Sequence, residues 1–290
     1  MKGTYTALIT PFKNGQVDYA TYEALLEAQV KAGVDGVVPC GTTGESPTLS
    51  HEEHNEIVRF TVEKIKKRVK VIAGTGSNST EESLRLSRHA EKVGADGCLL
   101  VCPYYNKPTQ EGLFRHFKAV SDAVGLEIVV YNIPGRSGVK IGIETLARLA
   151  EIPNVVAVKD ATGDIDMASE TVAVCGEKLS VLSGNDSMNL PILAVGGTGT
   201  ISVVSNIVPD RVKKMVDLYL KGETKKALEV HLALWQLSKV LFLETNPIPV
   251  KAAAHLLKMI PTEEIRLPLT SLEAPNREKL RAELKKIGLL

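Results

Sequence analysis

The sequence predicts an α/β protein with a (β/α)8 TIM barrel followed by a C-terminal helical appendage. Three observations lead to this prediction: eight short apolar runs, amphipathic stretches between them, and the end of the strand pattern near residue 208. Continuous apolar runs are typical of parallel strands covered on both faces, and eight strand–helix units in series indicate a closed barrel. The alternative is an open doubly wound sheet. That fold usually shows a glycine-rich dinucleotide turn after its first strand, and here that position reads TPFKNG.

The apolar runs begin roughly 20–35 residues apart and end in Gly, Thr, Ser, Asn or Tyr. They are TALIT (6–10), DGVVPCG (35–41), VKVIAGTG (69–76), GCLLVCPYY (97–105), EIVVYNIP (127–134), VVAVKDATG (155–163), LSVLSGND (179–186) and GTISVVSN (199–206). Catalytic groups of such barrels lie at the carboxyl ends of the strands, so the residues that end each run are the candidates for chemistry.

Helical patterns separate these runs. The first has i, i+3 and i+4 spacing at Tyr22, Leu25, Leu26, Gln29 and Val30. Ser50 and Glu53 form a predicted capping box before the second helix. Ser79 or Thr80 begins the next helix, and Gly94 ends it. The alternation of strand and helix signals therefore continues along the barrel part of the chain.

Three further helical stretches follow residue 208, over 209–243 with a break at Gly222, over 247–259 and over 273–287. A barrel needs only the first part of these for its eighth helix. We therefore predict a catalytic barrel over residues 1–224 and a C-terminal helical subdomain over residues 225–290. The subdomain is expected to pack on the barrel or to form a subunit contact.

Composition excludes several classes of protein. The chain has 35 basic and 34 acidic residues without a basic patch, which argues against nucleic-acid binding. Its apolar runs are too short to span a membrane, and its N-terminus does not read as a secretory signal. We predict reduced, packed cysteines in a cytoplasmic protein, at Cys40, Cys98, Cys102 and Cys175. No second Cys/His pair accompanies Cys98 and Cys102 at zinc spacing, so no metal site is expected.

In the sixth run, VVAVKDATG, a lysine directly follows four apolar residues and is a candidate for catalysis. One interpretation of Lys159 is a structural residue that reaches solvent or pairs with Asp160. In the mouth of a barrel, however, a lysine loses solvation, which lowers its pKa and favours the neutral amine. Such an amine attacks a ketone to form a Schiff base, and the protonated imine helps an adjacent carbon to lose a proton.

Schiff-base chemistry on a keto acid also needs a carboxylate site and a proton relay. The loop Gly41-Thr42-Thr43-Gly44-Glu45 allows backbone N–H groups to converge on an anion. Tyr131 and Tyr105 end the fifth and fourth runs, where a phenol with a pKa of about 10 can pass on a proton. Arg136 could hold a second carboxylate. Taken singly, these residues are also compatible with a plain turn, packing tyrosines and an exposed arginine.

Six motifs together resemble the dihydrodipicolinate synthase family, and the similarity extends over essentially the whole chain. They are GTTGES (41–46), CPYYNKPTQEG (102–112), YNIPGRSG (131–138), VKDATGD (158–164), SGND (183–186) and TNPIPVK (245–251). Single pieces are shared with sister enzymes such as N-acetylneuraminate lyase and 2-keto-3-deoxy sugar acid aldolases. The resemblance implies a cytoplasmic homotetramer of two tight dimers that uses no metal or other cofactor.

The family condenses pyruvate with aspartate β-semialdehyde to 4-hydroxy-tetrahydrodipicolinate in lysine and diaminopimelate synthesis. By resemblance, Lys159 is the Schiff-base lysine and Tyr131 the general acid/base. Thr42 and Tyr105 complete the proton relay, with Tyr105 reaching into a neighbouring subunit's site. The same resemblance places three kinds of binding residue: Thr43 at the pyruvate carboxylate, Arg136 at the semialdehyde carboxylate, and Gly184 and Ile201 lining the site.

The resemblance also suggests feedback inhibition by lysine between the subunits of a tight dimer. The matching positions are Ser46, His51, His54, Asn78, Glu82 and Tyr104. Pro47 departs from the alanine frequent in lysine-inhibited members, Asp160 replaces a common glutamate and Asn185 replaces a common acid. Two alternatives stay open: a pyruvate-dependent lyase or aldolase acting on sugar acids, which generally lacks an arginine at position 136, and a barrel that binds a keto acid without turnover.

Overall fold

Eight parallel strands close into a barrel in the computed structural model, which describes residues 1–290. The strands are β1 (Gly3–Ala7), β2 (Gly36–Val38), β3 (Lys70–Gly74), β4 (Gly97–Val101), β5 (Glu127–Asn132), β6 (Val155–Asp160), β7 (Ser180–Ser183) and β8 (Gly199–Ser202). Neighbours in the barrel follow chain order, and β8 closes it by pairing with β1, Thr200 opposite Thr4. The predicted barrel is confirmed, and the open sheet is excluded.

Helices surround the barrel and continue past it. Those of the barrel are α1 (Tyr19–Ala32), α2 (His51–Ile65), α3 (Thr80–Lys92), α4 (Gln110–Ala123), α5 (Ile143–Ala150), α6 (Ile165–Cys175), α7 (Asn189–Ala194) and α8 (Pro209–Leu220). The C-terminal helices are α9 (Thr224–Val240), α10 (Ile248–Leu256) and α11 (Ala274–Lys286). No helix is both long and apolar enough to cross a membrane.

The predicted helix ends are present in the structure. The Ser50 hydroxyl accepts a hydrogen bond from the Glu53 N–H at 3.2 Å, and the Glu53 carboxylate accepts one from the Ser50 N–H at 2.9 Å. Ser79 caps α3, and Gly94 follows that helix with φ +88°. Gly222, with φ +81°, separates α8 from α9 where the break is predicted. These local signals form because each satisfies backbone groups that a helix end leaves free.

The first strand lies earlier in the chain than the run TALIT suggests. It covers Gly3–Ala7, so residues 8–10 belong to the following loop. The strand was hidden from a hydrophobicity pattern because the two residues that face the surrounding helices are threonines, while Tyr5 and Ala7 face the barrel interior. Thr4 and Thr6 are fully buried, and the Thr6 hydroxyl donates to the Gln29 side chain at 2.7 Å. A hydrogen-bonded threonine can fill a buried strand position as valine would.

Three apolar layers hold these elements together. The barrel interior is filled by ten buried residues, among them Tyr131, Leu182 and Ile201. A larger cluster lies between the strands and the helices around them. A third joins the C-terminal helices to the barrel through Ile9 and Leu25. The C-terminal helices are thereby fixed over one side of the barrel, while the division at residues 224 and 225 stays a prediction.

Candidate active site

Lys159 and Tyr131 lie opposite each other on neighbouring strands β6 and β5, near their carboxyl ends. The Lys159 ammonium nitrogen is 4.2 Å from the centre of the Tyr131 ring, and the lysine is 4% exposed. A cavity of about 380 Å³ opens above them. Its other lining residues include the predicted Thr43, Arg136 and Gly184, together with Asn185, Phe242 and Asn246.

The surroundings of Lys159 favour its neutral form. Burial lowers the pKa of Lys159 to about 8; the positive charge of Arg136 acts in the same direction, and the negative charge of Asp186 opposes both. Asp160 is not its partner, because that carboxylate accepts hydrogen bonds from the Thr162 N–H at 2.9 Å and hydroxyl at 2.7 Å. The amine is therefore available as a nucleophile near neutral pH.

Gly184 makes room for the lysine side chain. A Cβ atom at this position would lie 2.9 Å from Lys159 Cε and 3.0 Å from its Cγ, closer than real contacts allow. The Gly184 N–H donates to the Asp160 carbonyl at 2.6 Å, which holds the β7 end against the β6 end. A glycine is required here because of this close approach, not because of a left-handed backbone.

Asp186 is a buried acid that the sequence analysis did not single out. Its carboxylate accepts hydrogen bonds from the Ser202 hydroxyl and from the N–H groups of Val203 and Val204, the latter two at 2.8 and 3.1 Å. Burial raises its pKa, and these donors oppose that shift. An acid at the end of the seventh apolar run was the available signal. Asp186 ties the ends of β7 and β8 together beside Lys159.

The buried surroundings of Tyr131 favour the neutral, protonated phenol. Burial raises the pKa of Tyr131 to about 12, opposed by the charge of Arg136 and by the polar side chain of Thr42. The hydroxyl is therefore neutral, and it shares the lining of a cavity with Thr42, one of the predicted relay residues. Such a group can donate a proton and recover it without becoming a lasting anion.

The loop over residues 41–46 folds back on itself and leaves the N–H groups of its first three residues free. The N–H groups of Gly44 and Ser46 donate to the Gly41 carbonyl at 3.0 and 3.3 Å, and that of Glu45 donates to the Thr42 carbonyl at 3.1 Å. The N–H groups of Thr42 and Thr43 make no hydrogen bond within the protein. Adjacent free N–H groups of this kind are the donors that a bound carboxylate needs.

Asn246 connects that loop to Arg136, a link that sequence reasoning missed. Its side-chain amide donates to the Thr43 hydroxyl at 3.0 Å, and its backbone carbonyl accepts from the Arg136 guanidinium at 3.0 Å. Asn246 precedes α10, more than a hundred residues after Arg136 in the chain. The TNPIPVK motif was noted, but its spacing does not reveal which strand end it covers.

Three predicted site residues do not line the cavity that holds Lys159. Thr42 lines a second, adjoining cavity instead. Ile201 is fully buried inside the barrel, in the layer that supports Tyr131. Tyr105 is 89% exposed and has a left-handed backbone with φ +73°. A large aromatic side chain held out in this way is unusual for a packing residue. Tyr105 does not approach Lys159 of the same chain.

A second cavity of about 350 Å³ adjoins the first and shares Tyr131 and Arg136 with it. Five of the six positions predicted for lysine binding line it: Ser46, His51, His54, Glu82 and Tyr104. The sixth, Asn78, is not among the lining residues, and its carbonyl accepts from the Asn106 side chain at 2.8 Å.

The negative charge of this second cavity lies on Glu82, the only acidic residue among its lining residues. Its carboxylate is 2.7 Å from the His51 ring nitrogen and accepts a short hydrogen bond from the Ser77 hydroxyl. These contacts, that of Ser77 first, lower the pKa of Glu82. Burial lowers the pKa of His54, whose ring nitrogen donates to the Gly74 carbonyl at 2.8 Å. The cavity thus combines an ionised acid with a neutral imidazole.

Comparison with known proteins agrees with the resemblance seen in the sequence. The chain is 52% identical over 289 residues to the 4-hydroxy-tetrahydrodipicolinate synthase of Citrifermentans bemidjiense, covering 100% of this chain and 99% of that one. The solved dihydrodipicolinate synthase of Aquifex aeolicus is 50% identical with a TM-score of 0.98, covering 100% and 99% of the two chains. The lysine-bound enzyme of Cyanidioschyzon merolae is 38% identical with a TM-score of 0.96, covering 100% and 99%. The model of the dihydrodipicolinate synthetase family matches residues 1–287, and the chain belongs to that family.

Proposed function

We propose that this chain condenses pyruvate with aspartate β-semialdehyde to 4-hydroxy-tetrahydrodipicolinate through a Schiff base on Lys159. Full-length matches to enzymes named as synthases of this compound support the overall reaction over a sugar-acid lyase. The main support for the roles of the residues is that Lys159 is buried without an ion-pair partner. It lines one cavity together with Thr43, Arg136 and Tyr131.

The first half of the reaction activates pyruvate. The neutral Lys159 amine attacks the ketone carbon, and loss of water leaves a protonated imine. The carboxylate of the bound pyruvate would accept hydrogen bonds from the free N–H groups of Thr42 and Thr43 and from the Thr43 hydroxyl. The imine then withdraws electrons from the methyl carbon, which loses a proton and becomes the nucleophilic carbon of an enamine.

The second half forms the new carbon–carbon bond. The enamine carbon attacks the aldehyde carbon, whose oxygen takes a proton and becomes the 4-hydroxyl. The amino group of the former semialdehyde then adds to the imine carbon and displaces the Lys159 amine, which closes the ring and frees the enzyme. Arg136 would hold the carboxylate of the semialdehyde bidentately, since a guanidinium matches carboxylate geometry.

Proton transfers in both halves would use Tyr131 as the general acid/base. Thr42, which lines one cavity together with Tyr131, would be the second member of the relay. The exposed Tyr105 would be the third member in the site of a neighbouring subunit, which requires assembly of the chain. The exposed Tyr105 supports a dimer, and the family resemblance supports our proposal that two such tight dimers form a homotetramer. We propose that it lies in the cytoplasm, where four free and buried cysteines are stable.

A competition experiment tests the choice of aldehyde. The purified protein receives pyruvate with a mixture of aspartate β-semialdehyde, N-acetylmannosamine and glyceraldehyde, and disappearance of each aldehyde is followed. Loss of the semialdehyde is expected. Loss of a sugar aldehyde instead would assign the protein to the lyase branch. Arg136→Ala should weaken use of the semialdehyde and leave the borohydride-trapped pyruvate adduct intact; equal loss of both would contradict the role of Arg136.

We further propose that lysine binds in the second cavity and inhibits the enzyme. Glu82 would pair with an ammonium group, and the shared lining residues Tyr131 and Arg136 connect this cavity to the first one. The lysine-bound structure of the relative from Cyanidioschyzon merolae supports such a site. Initial rates across millimolar lysine should fall, and Glu82→Gln should weaken inhibition while leaving the uninhibited rate near that of the wild type. A flat rate in the wild-type protein would contradict the proposal.

A further inference from the structure

Lys251 and Glu45 form the most deeply buried ion pair of the chain. The ammonium nitrogen is 2.6 Å from a carboxylate oxygen, and each side chain is 1% exposed. All other ion pairs involve side chains that are at least 19% exposed. Removing two charges from water costs more than their attraction usually returns, so stability alone does not explain such a pair.

Glu45 is the last residue of the turn that presents Thr42 and Thr43. It has φ +58°, in the left-handed region that costs a residue with a side chain conformational energy. Its backbone N–H donates to the Thr42 carbonyl at 3.1 Å. One of its carboxylate oxygens accepts from Lys251, and the other accepts from the Arg266 N–H at 3.1 Å. The side chain thus holds a strained turn to the C-terminal part of the chain.

Lys251 lies in the first turn of α10, shortly after Asn246. Asn246 is bonded to the Thr43 hydroxyl and to Arg136, as described above. The Lys251 ammonium and the Arg266 guanidinium each lie 4.3 Å from the centre of the Phe12 ring, which encloses the pair. The ion pair and the Asn246 amide are therefore two attachments between the same segment and the same loop.

We propose that the Lys251–Glu45 ion pair is a positioning device for the pyruvate site. It fixes the 41–46 loop so that the N–H groups of Thr42 and Thr43 and the Thr43 hydroxyl converge on the carboxylate of pyruvate. Neither Lys251 nor Glu45 lines the cavity that holds Lys159, so both act through the loop. This inference rests on the proposed function, because it takes the ligand of that loop to be the carboxylate of a keto acid.

The test measures how much pyruvate is needed to form the Lys159 adduct. Borohydride trapping is followed by intact mass over a range of pyruvate concentrations, without any aldehyde, in the full-length protein. The variant is Lys251→Met with Glu45→Gln, which leaves no buried charge unpaired and keeps an acceptor for the Arg266 N–H. The half-saturating pyruvate concentration should rise about tenfold, the order expected when a hydrogen bond to a charged group is misplaced.

Three further readouts separate positioning from general damage. The extent of trapping at saturating pyruvate, and kcat at saturating pyruvate, should stay within about threefold of the wild type, because Lys159 itself is untouched. The thermal midpoint reports folding. Lys213→Met is the matched control, since this lysine pairs with Asp35 and Asp217 at the opposite, N-terminal end of the strands. Its half-saturating pyruvate concentration should equal that of the wild type.

An unchanged half-saturating concentration in the folded double variant overturns the inference and leaves the proposed function intact. Absence of an adduct in the wild type overturns the proposed function, and this inference with it. If the double variant does not fold, Glu45→Gln alone is measured in the same way. It keeps the size of Glu45 and one acceptor for the Arg266 N–H, but removes the carboxylate charge that pairs with Lys251. The half-saturating concentration should rise about threefold; no change in this folded variant also overturns the inference.

Discussion

The rate of adduct formation between Lys159 and pyruvate should follow the titration of a single group with a pKa of about 8. An exposed lysine, with a pKa of about 10.4, has about one neutral amine in 2,500 at pH 7, whereas a pKa of about 8 gives about one in ten. Burial of Lys159 against Tyr131 therefore increases the nucleophilic fraction by about two orders of magnitude at neutral pH.

The assay is the initial rate of borohydride trapping at a low, fixed pyruvate concentration between pH 6 and pH 10. The rate should rise about tenfold per pH unit below the pKa of about 8 and level off above it. Arg136→Met removes a positive charge that lowers the Lys159 pKa, so the profile should move to higher pH. Arg148→Met is the control, because Arg148 is half-exposed on α5 and pairs with Glu111.

Two results would refute this reasoning. A rate that keeps rising tenfold per unit up to pH 10 would mean that the barrel mouth solvates the ammonium as water does. If the rate levels off near pH 8 in both the wild type and Arg136→Met, the guanidinium does not influence the pKa of Lys159. The first result removes the chemical basis for the Schiff base at neutral pH, and the second removes only the contribution of Arg136.

Three other variants test the geometry of the site. Tyr131→Phe should keep the fold and the pyruvate adduct but lower kcat by about 10²–10⁴-fold, because it removes the general acid/base; near-normal turnover would reject that role. Lys159→Met should raise the free energy of unfolding at pH 7 by up to about 3 kcal/mol, because a buried lysine with a lowered pKa destabilises the fold below pH 8. The difference in stability between variant and wild type should shrink as pH rises towards about 10.4, and a difference that does not change with pH would contradict this reasoning. Gly184→Ala should reduce trapping at least about tenfold, because the new methyl carbon would lie only 2.9 Å from Lys159 Cε and would displace the end of that side chain. Circular dichroism should show an intact fold, and an unchanged trapping rate would show that the displaced lysine still reaches pyruvate.

Most of the barrel could be predicted because its signals are local. Seven of the eight runs contain the strand that the structure places there, and the Ser50–Glu53 box lies where its spacing indicates. The ends of the runs also bring Lys159, Tyr131, Thr43 and Gly184 together, because parallel strands in a barrel share one carboxyl face. This grouping follows from the barrel topology alone and does not require knowledge of which distant segments contact each other.

What the sequence concealed depends on contacts between distant segments. Asn246 follows α9 in the chain but contacts Thr43 and Arg136, and the motif TNPIPVK does not indicate these distant partners. The first strand was placed too late because Thr4 and Thr6 read as polar in the sequence, and the Thr6–Gln29 hydrogen bond that accommodates Thr6 in the core joins distant segments. The place of Tyr105 depends on a neighbouring chain, so its role stays a prediction. Each of these outcomes is decided by packing rather than by local pattern.

The two fully buried lysines of this protein show how packing also decides chemistry. Burial lowers the pKa of both Lys159 and Lys251. Lys251 has the carboxylate of Glu45 at 2.6 Å, which opposes that shift and favours the ammonium form. Lys159 forms no ion pair: it faces the Tyr131 ring, and the buried Asp186 raises its pKa only from a distance while Arg136 lowers it. The same side chain is thus a structural cation in one place and a nucleophile in the other, and the difference lies in whether a buried carboxylate is close enough to form an ion pair.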